Sequence, residues 1–240
     1  MTIPGDSGAR PQQISNAITV SLVVLTALFI GLNYTVMKWA LDHTTPLALA
    51  ALRTTVGAPV LLAVAMARRE RFPRTREQWW AVWWISLAIT TVSSGFLVLG
   101  ISRLSPGLAA MLSATMPLFT AIIAMLVIAE LPGRRGYIGL VVGLFGAICL
   151  AVPALGSGNT TLGIIFALIS SVSWAIGAVL NKRLPGALAI SPLMLVALQI
   201  SFSAVCLHAA VPFLEDWSDT SLNWGLILPL LYAGIPSLAV

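Results

Sequence analysis

Charge is scarce in this chain. Only 9% of its 240 residues are Asp, Glu, Lys or Arg, where a soluble domain carries about 25%. No Asp or Glu stands near the centre of any long apolar run. Proton-coupled carriers often place a carboxylate at that depth, so carboxylate-driven proton antiport is not expected. Cysteine is almost absent. Cys149 and Cys206 lie in separate apolar runs, which rules out a disulfide framework and a thiolate metal site. The strings GxSxG, HExxH and CxxC do not occur. Ser201 and His208 are two helical turns apart, about 10 Å along an axis, too far for a nucleophile and its base. No catalytic residue, cofactor or metal is expected.

What the chain has is apolar length. Its residues are 58% hydrophobic and its mean hydropathy is +0.96, more than one water-soluble core of this size could hide. A helix needs about 20 apolar residues to cross a bilayer. By that measure spans fall near 18–39, 46–67, 79–101, 105–129, 136–153, 161–180, 192–213 and 223–240. The first run is too long for a signal-peptide core and is read as a membrane helix. The polar residues 1–16 before it are expected to be a disordered cytoplasmic tail.

The net charge of +5 does not point to nucleic acid. The basic residues cluster in short connections, above all "RRERFPRTRE" from Arg68 to Glu77. Positive charge marks the cytoplasmic side. With the N-terminus inside, Arg10, the arginine loop, Arg134, Arg135, Lys182 and Arg183 fall inside, ten of the thirteen basic residues. That majority sets the orientation.

The chain repeats itself. "TPLALAALR" at 45–53 returns as "SPLMLVALQ" at 191–199, and "IGLNYTVMKW" at 30–39 aligns with "WAIGAVLNKR" at 174–183. The Trp80 and Trp224 regions align at the same spacing. One repeat then holds five helices. An odd repeat enters the membrane from the opposite side the second time, so Lys38 ends its helix outside and Lys182 inside. Inverted repeats are a transporter device, with substrate between the halves near the midplane. A duplicated membrane scaffold is the competing reading.

Polar residues inside the spans are the candidates for a cavity. Arg53 stands about two turns into its helix, where an arginine costs about 2.5–3.5 kcal/mol at the centre and less towards the end. It reads either as an anion-binding group facing a cavity or as a clamp on loop carbonyls or Asp42. Gln199 takes the matching place in the second copy. Hydroxyls and amides recur at helical spacing: Thr90, Ser93 and Ser94; Ser170, Ser173, Trp174, Gly177 and Asn181; Thr26 and Asn33; Ser113, Thr115 and Pro117. Singly, each is a packing residue bonded to its own backbone; together they suggest a shared polar cavity. The selected lining is Asn33, Arg53, Thr90, Ser94, Thr115, Pro117, Ser170, Trp174 and Gln199. Pro117 is expected to open the middle of its helix. Trp79, Trp80, Trp83 and Trp84 read as an interfacial anchor, and Glu130 as a cytoplasmic ion pair with Arg134 or a cap.

The strings "GLNYTVMKWAL", "TPLALAALR", "SATMPLFTAIIAMLVIAE", "RRGYIGLVVGLFGAICL" and "SSVSWAIGAVLNKRL", in that order, resemble the EamA-like permeases of the drug/metabolite transporter superfamily. The resemblance runs over nearly the whole chain after the tail. It implies an all-α polytopic membrane protein of two inverted five-helix repeats, one at 17–153 and one at 160–240. About eight helices are present here against ten in the family, with the second repeat cut in its third helix and about another 55 residues expected by repeat length. It further implies a bacterial cytoplasmic (inner) membrane location and export of a small metabolite, amino acid or drug by alternating access. The expected partners are a small-molecule substrate and the lipid bilayer, with no nucleic acid and homo-oligomerisation left open. A non-functional truncated remnant, a scaffold or an intramembrane enzyme are the alternatives.

Overall fold

A Thr or Ser followed by Pro starts three of the helices, because proline needs no N–H at the first helical position and the residue before it is held extended. The computed structural model describes residues 16–129, 132–152, 155, 158–188 and 190–234. Within them the secondary structure is helical. The helices are α1 (Asn16–Ala40), α2 (Pro46–Ala67), α3 (Arg76–Ile85), α4 (Ser93–Arg103), α5 (Pro106–Ser113) and α6 (Met116–Ile128), then α7 (Arg134–Ala151), α8 (Gly158–Leu188), α9 (Pro192–Leu214) and α10 (Trp224–Gly234). The expected disordered tail, the Glu130 ion pair and the end of the last expected span lie outside the described residues.

Local chemistry explains the ends. Ser191 caps α9 by accepting the Met194 N–H at 3.2 Å, and Ser105 caps α5 through Leu108. Thr75 and Gln78 form a reciprocal capping box at the start of α3, which satisfies two orphan N–H groups at once. α2 stops where Arg69 turns left-handed at φ 55. The Glu70 N–H then reaches back to the Ala65 carbonyl and the Arg69 N–H to Met66, the hydrogen-bond pair of a Schellman ending.

Two spans depart from uniform helix. From Arg76 to Arg103 the chain is one continuous 28-residue span, but Ser86–Val92 is wound as a π-helix. The expected span at 105–129 is two helices. The break falls at Ala114 and Thr115, and Pro117 is the second residue of the new helix α6. Proline near a helix start is tolerated, so the interruption lies just before it and not at its ring.

α2 and α9 form the central pair and run antiparallel. Glu215, directly after α9, accepts N–H groups at the start of α2. At the other end Ala65 of α2 clusters with Met194 and Leu195 of α9. α8 packs along α4 and the π segment, and α1 packs against α10. The connections after α1, α4 and α9 gather at one end. Lys38 donates to the Ile101 and Ser102 carbonyls, each at 2.8 Å, and the Ser221 N–H bonds the His43 carbonyl at 2.9 Å.

Six helices among the described residues are long and apolar enough to cross a membrane, where eight spans were expected. α7 is present but is not one of the six, and α10 is described over only 11 residues. Apolar side chains point outward along α7, with Phe145 68% exposed and Val141 66%. In water such a face would be costly; against lipid it is solvated.

Candidate functional site

Arg53 and Gln199 are each the eighth residue of their helices. Because α2 and α9 pack together, these two positions come to one cavity of about 290 Å³, which is also lined by Thr90 and Ser94 from the third span and Trp174 and Asn181 from α8. Ser93, Met116 and the apolar side chains Ile89, Leu97, Val196 and Ile200 complete it.

Arg53 is only 6% exposed. Its Nη1 donates to the Met37 sulfur at 3.2 Å, and a thioether is a weak acceptor. Its Nε is buried without a hydrogen-bond partner. The expected alternative, a clamp on Asp42, is not formed among the described residues; the side chain turns inward to Met37 and the cavity. Gln199 is buried as well, and its Nε2 donates to Asn181 Oδ1 at 2.8 Å.

The π segment is held by hydroxyls. Ser86 donates to the Gln199 carbonyl at 2.7 Å, and Ser173 to the Ala88 carbonyl. Ser93 and Ser170 each donate to the other's backbone carbonyl, at 3.0 and 2.8 Å. A π turn leaves carbonyls out of the regular ladder; Ser173 of α8 takes up that of Ala88, while Ser86 and Ser93 tie the span to carbonyls of α9 and α8. Gly177 allows this contact: a Cβ there would lie 2.7 Å from the Ile89 Cα.

Five of the nine selected residues therefore line the polar cavity: Arg53, Thr90, Ser94, Trp174 and Gln199. Four do not. Asn33 lies behind Arg53, with its Nδ2 on the same Met37 sulfur at 3.4 Å and its Oδ1 buried and unpaired. Ser170 is fully buried in the bond to Ser93. Thr115 bonds back to the Leu112 carbonyl of α5, 2.6 Å away, and lines a separate apolar cavity between α6 and α7. Pro117 faces outward, because the break before it rotates its ring away from the bundle. The selection missed Asn181 and Ser93, although both lie on the polar helix faces. Met37 and Met116 carry no polar signal that could have found them.

The residues weighed for catalysis are occupied elsewhere. Ser201 donates to the Ala197 carbonyl at 2.7 Å, and His208 stacks on Trp217 at 5.3 Å. Of the tryptophans at the start of α3, Trp79 and Trp83 pack edge-on against Phe202, while Trp80 and Trp84 face outward as an interfacial belt requires.

Residues 17–152 match the EamA-like transporter family. The "Uncharacterized transporter YvbV" of Bacillus subtilis is 26% identical over 93% of this chain and 72% of its own length. The "Uncharacterized inner membrane transporter YedA" of Escherichia coli is 32% identical over 67% of this chain and 52% of its own. A "Probable amino-acid metabolite efflux pump" of Salmonella typhimurium is 29% identical over 68% and 53%. The chain thus spans about half the length of two of these three relatives. A solved crystal structure shares the fold with a TM-score of 0.65 at 18% identity, covering 89% of this chain and 76% of that one. Apolar helices of spanning length, a cavity with polar lining residues between them and the match over 17–152 lead to one conclusion: this multi-pass membrane protein belongs to the EamA-like transporter family.

Proposed function

We propose that the chain works as a small-molecule permease of the bacterial inner membrane, exporting a metabolite, amino acid or drug by alternating access between two inverted repeats. The observation that carries this reading is the antiparallel contact of α2 with α9. These are the helices that the sequence repeat makes equivalent, and the polar cavity lies beside their contact.

Burial supports the equivalence. Ala48, Leu49, Ala51, Arg53, Thr54, Gly57 and Ala65 are buried on α2, and their counterparts Met194, Leu195, Ala197, Gln199, Ile200, Ser203 and Val211 are buried on α9. The same face is used twice. The neighbours repeat too: α1 packs on α10 as α8 packs on the third span, and the repeat matches α1 with α8 and the third span with α10. Two such halves can exchange shapes, so that a site between them opens to each side in turn. The names of the relatives, two called transporters and one a probable efflux pump, support transport as the activity and export as its direction.

Thiol labelling tests the reading without a known substrate. In a chain with Cys149 and Cys206 replaced by alanine, D42C is expected to react with an impermeant reagent from one membrane face and K182C from the other. S94C, in the cavity, is expected to react from both faces. Labelling of D42C and K182C from the same face removes the inverted repeat, and access to S94C from one face alone removes the alternation.

A further inference from the structure

Arg53 brings five N–H donors into the bundle, and among the described residues they meet one weak acceptor, the Met37 sulfur at 3.2 Å. The Nε meets none. A buried guanidinium with this deficit needs an acceptor from outside the protein, and the side chain lines a cavity large enough to admit one. Water relieves part of the deficit. A carboxylate relieves more, since it offers two oxygens in the fork geometry of the guanidinium and brings the opposite charge.

Charge counting narrows the ligand. Among the described residues, Arg53 is the one cation on the lining. Two cations at helix ends, Lys38 and Arg103, are engaged there: Lys38 on the Ile101 and Ser102 carbonyls, Arg103 on the Leu99 carbonyl and over the Phe166 ring. A dianion such as a phosphate monoester would keep an uncompensated charge. Among the described residues no Asp or Glu is on the lining either, so an α-ammonium group held next to the carboxylate would find only neutral hydroxyls and amides while feeling the arginine's repulsion. The rest of the lining is apolar apart from those neutral groups. A volume of about 290 Å³ is close to the lower end of the range for ligand pockets.

We infer that the Arg53 cavity takes a small monocarboxylate whose remaining surface is uncharged. The assignment rests on reading the cavity as the substrate site of the permease. Arg53 pairs with the carboxylate, Thr90 and Ser94 offer hydroxyls to its polar substituents, and Ile89 and Ile200 face its apolar body. Asn33 and Met37 hold Arg53 from behind and do not touch the ligand.

Calorimetry on the full 240-residue chain in lipid nanodiscs tests this with four probes of one shape: 3-phenylpropionate, its amide, 3-phenylpropan-1-amine and phenylalanine. Laurate serves as a fifth, lipid-like acid. 3-Phenylpropionate is expected to bind at least tenfold more tightly than each of the others and to protect S94C from labelling. R53Q is expected to abolish the preference for acid over amide, and R53K to keep part of it. Equal affinity for acid and amide overturns the inference, and so does failure of 3-phenylpropionate to bind. Phenylalanine or the amine binding as tightly as the acid overturns its charge rule, and a preference for laurate overturns its size rule. The acid-to-amide ratio in the unaltered chain decides the matter even if R53Q does not fold. The carrier reading is judged separately, by two-sided access to S94C, so either idea can fail alone.

Discussion

One oxygen of Glu215, Oε2, accepts the backbone N–H of Leu47 at 2.8 Å and that of Ala48 at 3.3 Å. The carboxylate that ends α9 is thereby the N-terminal cap of α2. Thr45, at the N-cap position, makes no side-chain cap of its own. A negative charge on the first turn of a helix meets unsatisfied N–H groups and the positive end of the dipole, so this contact fastens the antiparallel pair at one end.

Removing that carboxylate is expected to destabilise the bundle. Glu215→Ala should cost about 1–2 kcal/mol, the range for a lost cap with a charge-assisted component. Glu215→Gln, which keeps an acceptor without charge, should cost about half as much. Reversible unfolding in mixed micelles measures both; a Glu215→Ala chain as stable as the parent would show the cap to be idle.

The Ser93–Ser170 contact should behave as a coupled pair. Each hydroxyl serves the other's backbone carbonyl, so the two alanine substitutions are not expected to add. A double-mutant cycle should return a coupling of about 1 kcal/mol, within the range seen for hydroxyl bonds between membrane helices. Additive effects would mean that the pair merely touches.

Two glycines make a matched comparison. At Gly177 a new Cβ meets the Ile89 Cα at 2.7 Å, while at Gly146 it meets nothing within 4 Å. Gly177→Ala is expected to lose about 1–3 kcal/mol by overpacking the contact of α8 with the π segment. Gly146→Ala, on the outward face of α7, should stay within about 0.5 kcal/mol of the parent or gain slightly through helix propensity. Melting temperatures of the two variants are the measurement, and equal values would refute the difference.

Acid should loosen the connection between α9 and α10. The Asp216 carboxyl accepts the Ser218 N–H at 2.9 Å, and that bond holds it below the usual carboxylate range. A depressed folded pKa adds stability above the unfolded value of about 3.9, and the contribution is lost as pH falls through the folded value. Amide signals of Ser218 and Asp219 are therefore expected to stay constant from neutral pH down to the unfolded value and to shift below it. Asp216→Asn should remove that acid shift. A shift centred near neutral pH would contradict the assignment.

The sequence was legible where a short motif settles local structure. α2 was expected at 46–67 and occupies Pro46–Ala67; α9 was expected at 192–213 and occupies Pro192–Leu214. In both, a hydroxyl residue and a proline mark the first turn. Arg53 and Gln199 are aligned by the repeat, Thr90 and Ser94 share a face of the third span and Trp174 lies on the polar face of α8; all five line the cavity. Longer-range features left no mark. The π segment at Ser86–Val92 sits in an apolar run without glycine or proline, so nothing announces its change of winding. Glu215 and Leu47 are 168 residues apart, and in sequence that glutamate is an ordinary loop acid. Asn33, Ser170, Thr115 and Pro117 were misplaced because a residue's facing depends on helix phase. One residue turns a helix by about 100°, and a break or π turn shifts the phase of every later residue in the span.

The α2–α9 contact also bears on how such a chain could diverge. Where like surfaces of two identical copies meet about a two-fold axis, any substitution is made on both sides at once, so a charge at this position would enter the shared cavity twice. Joined in one polypeptide, the two positions become separate genetic sites. Arginine at 53 and glutamine at 199 differ in a way that two identical copies of one repeat could not.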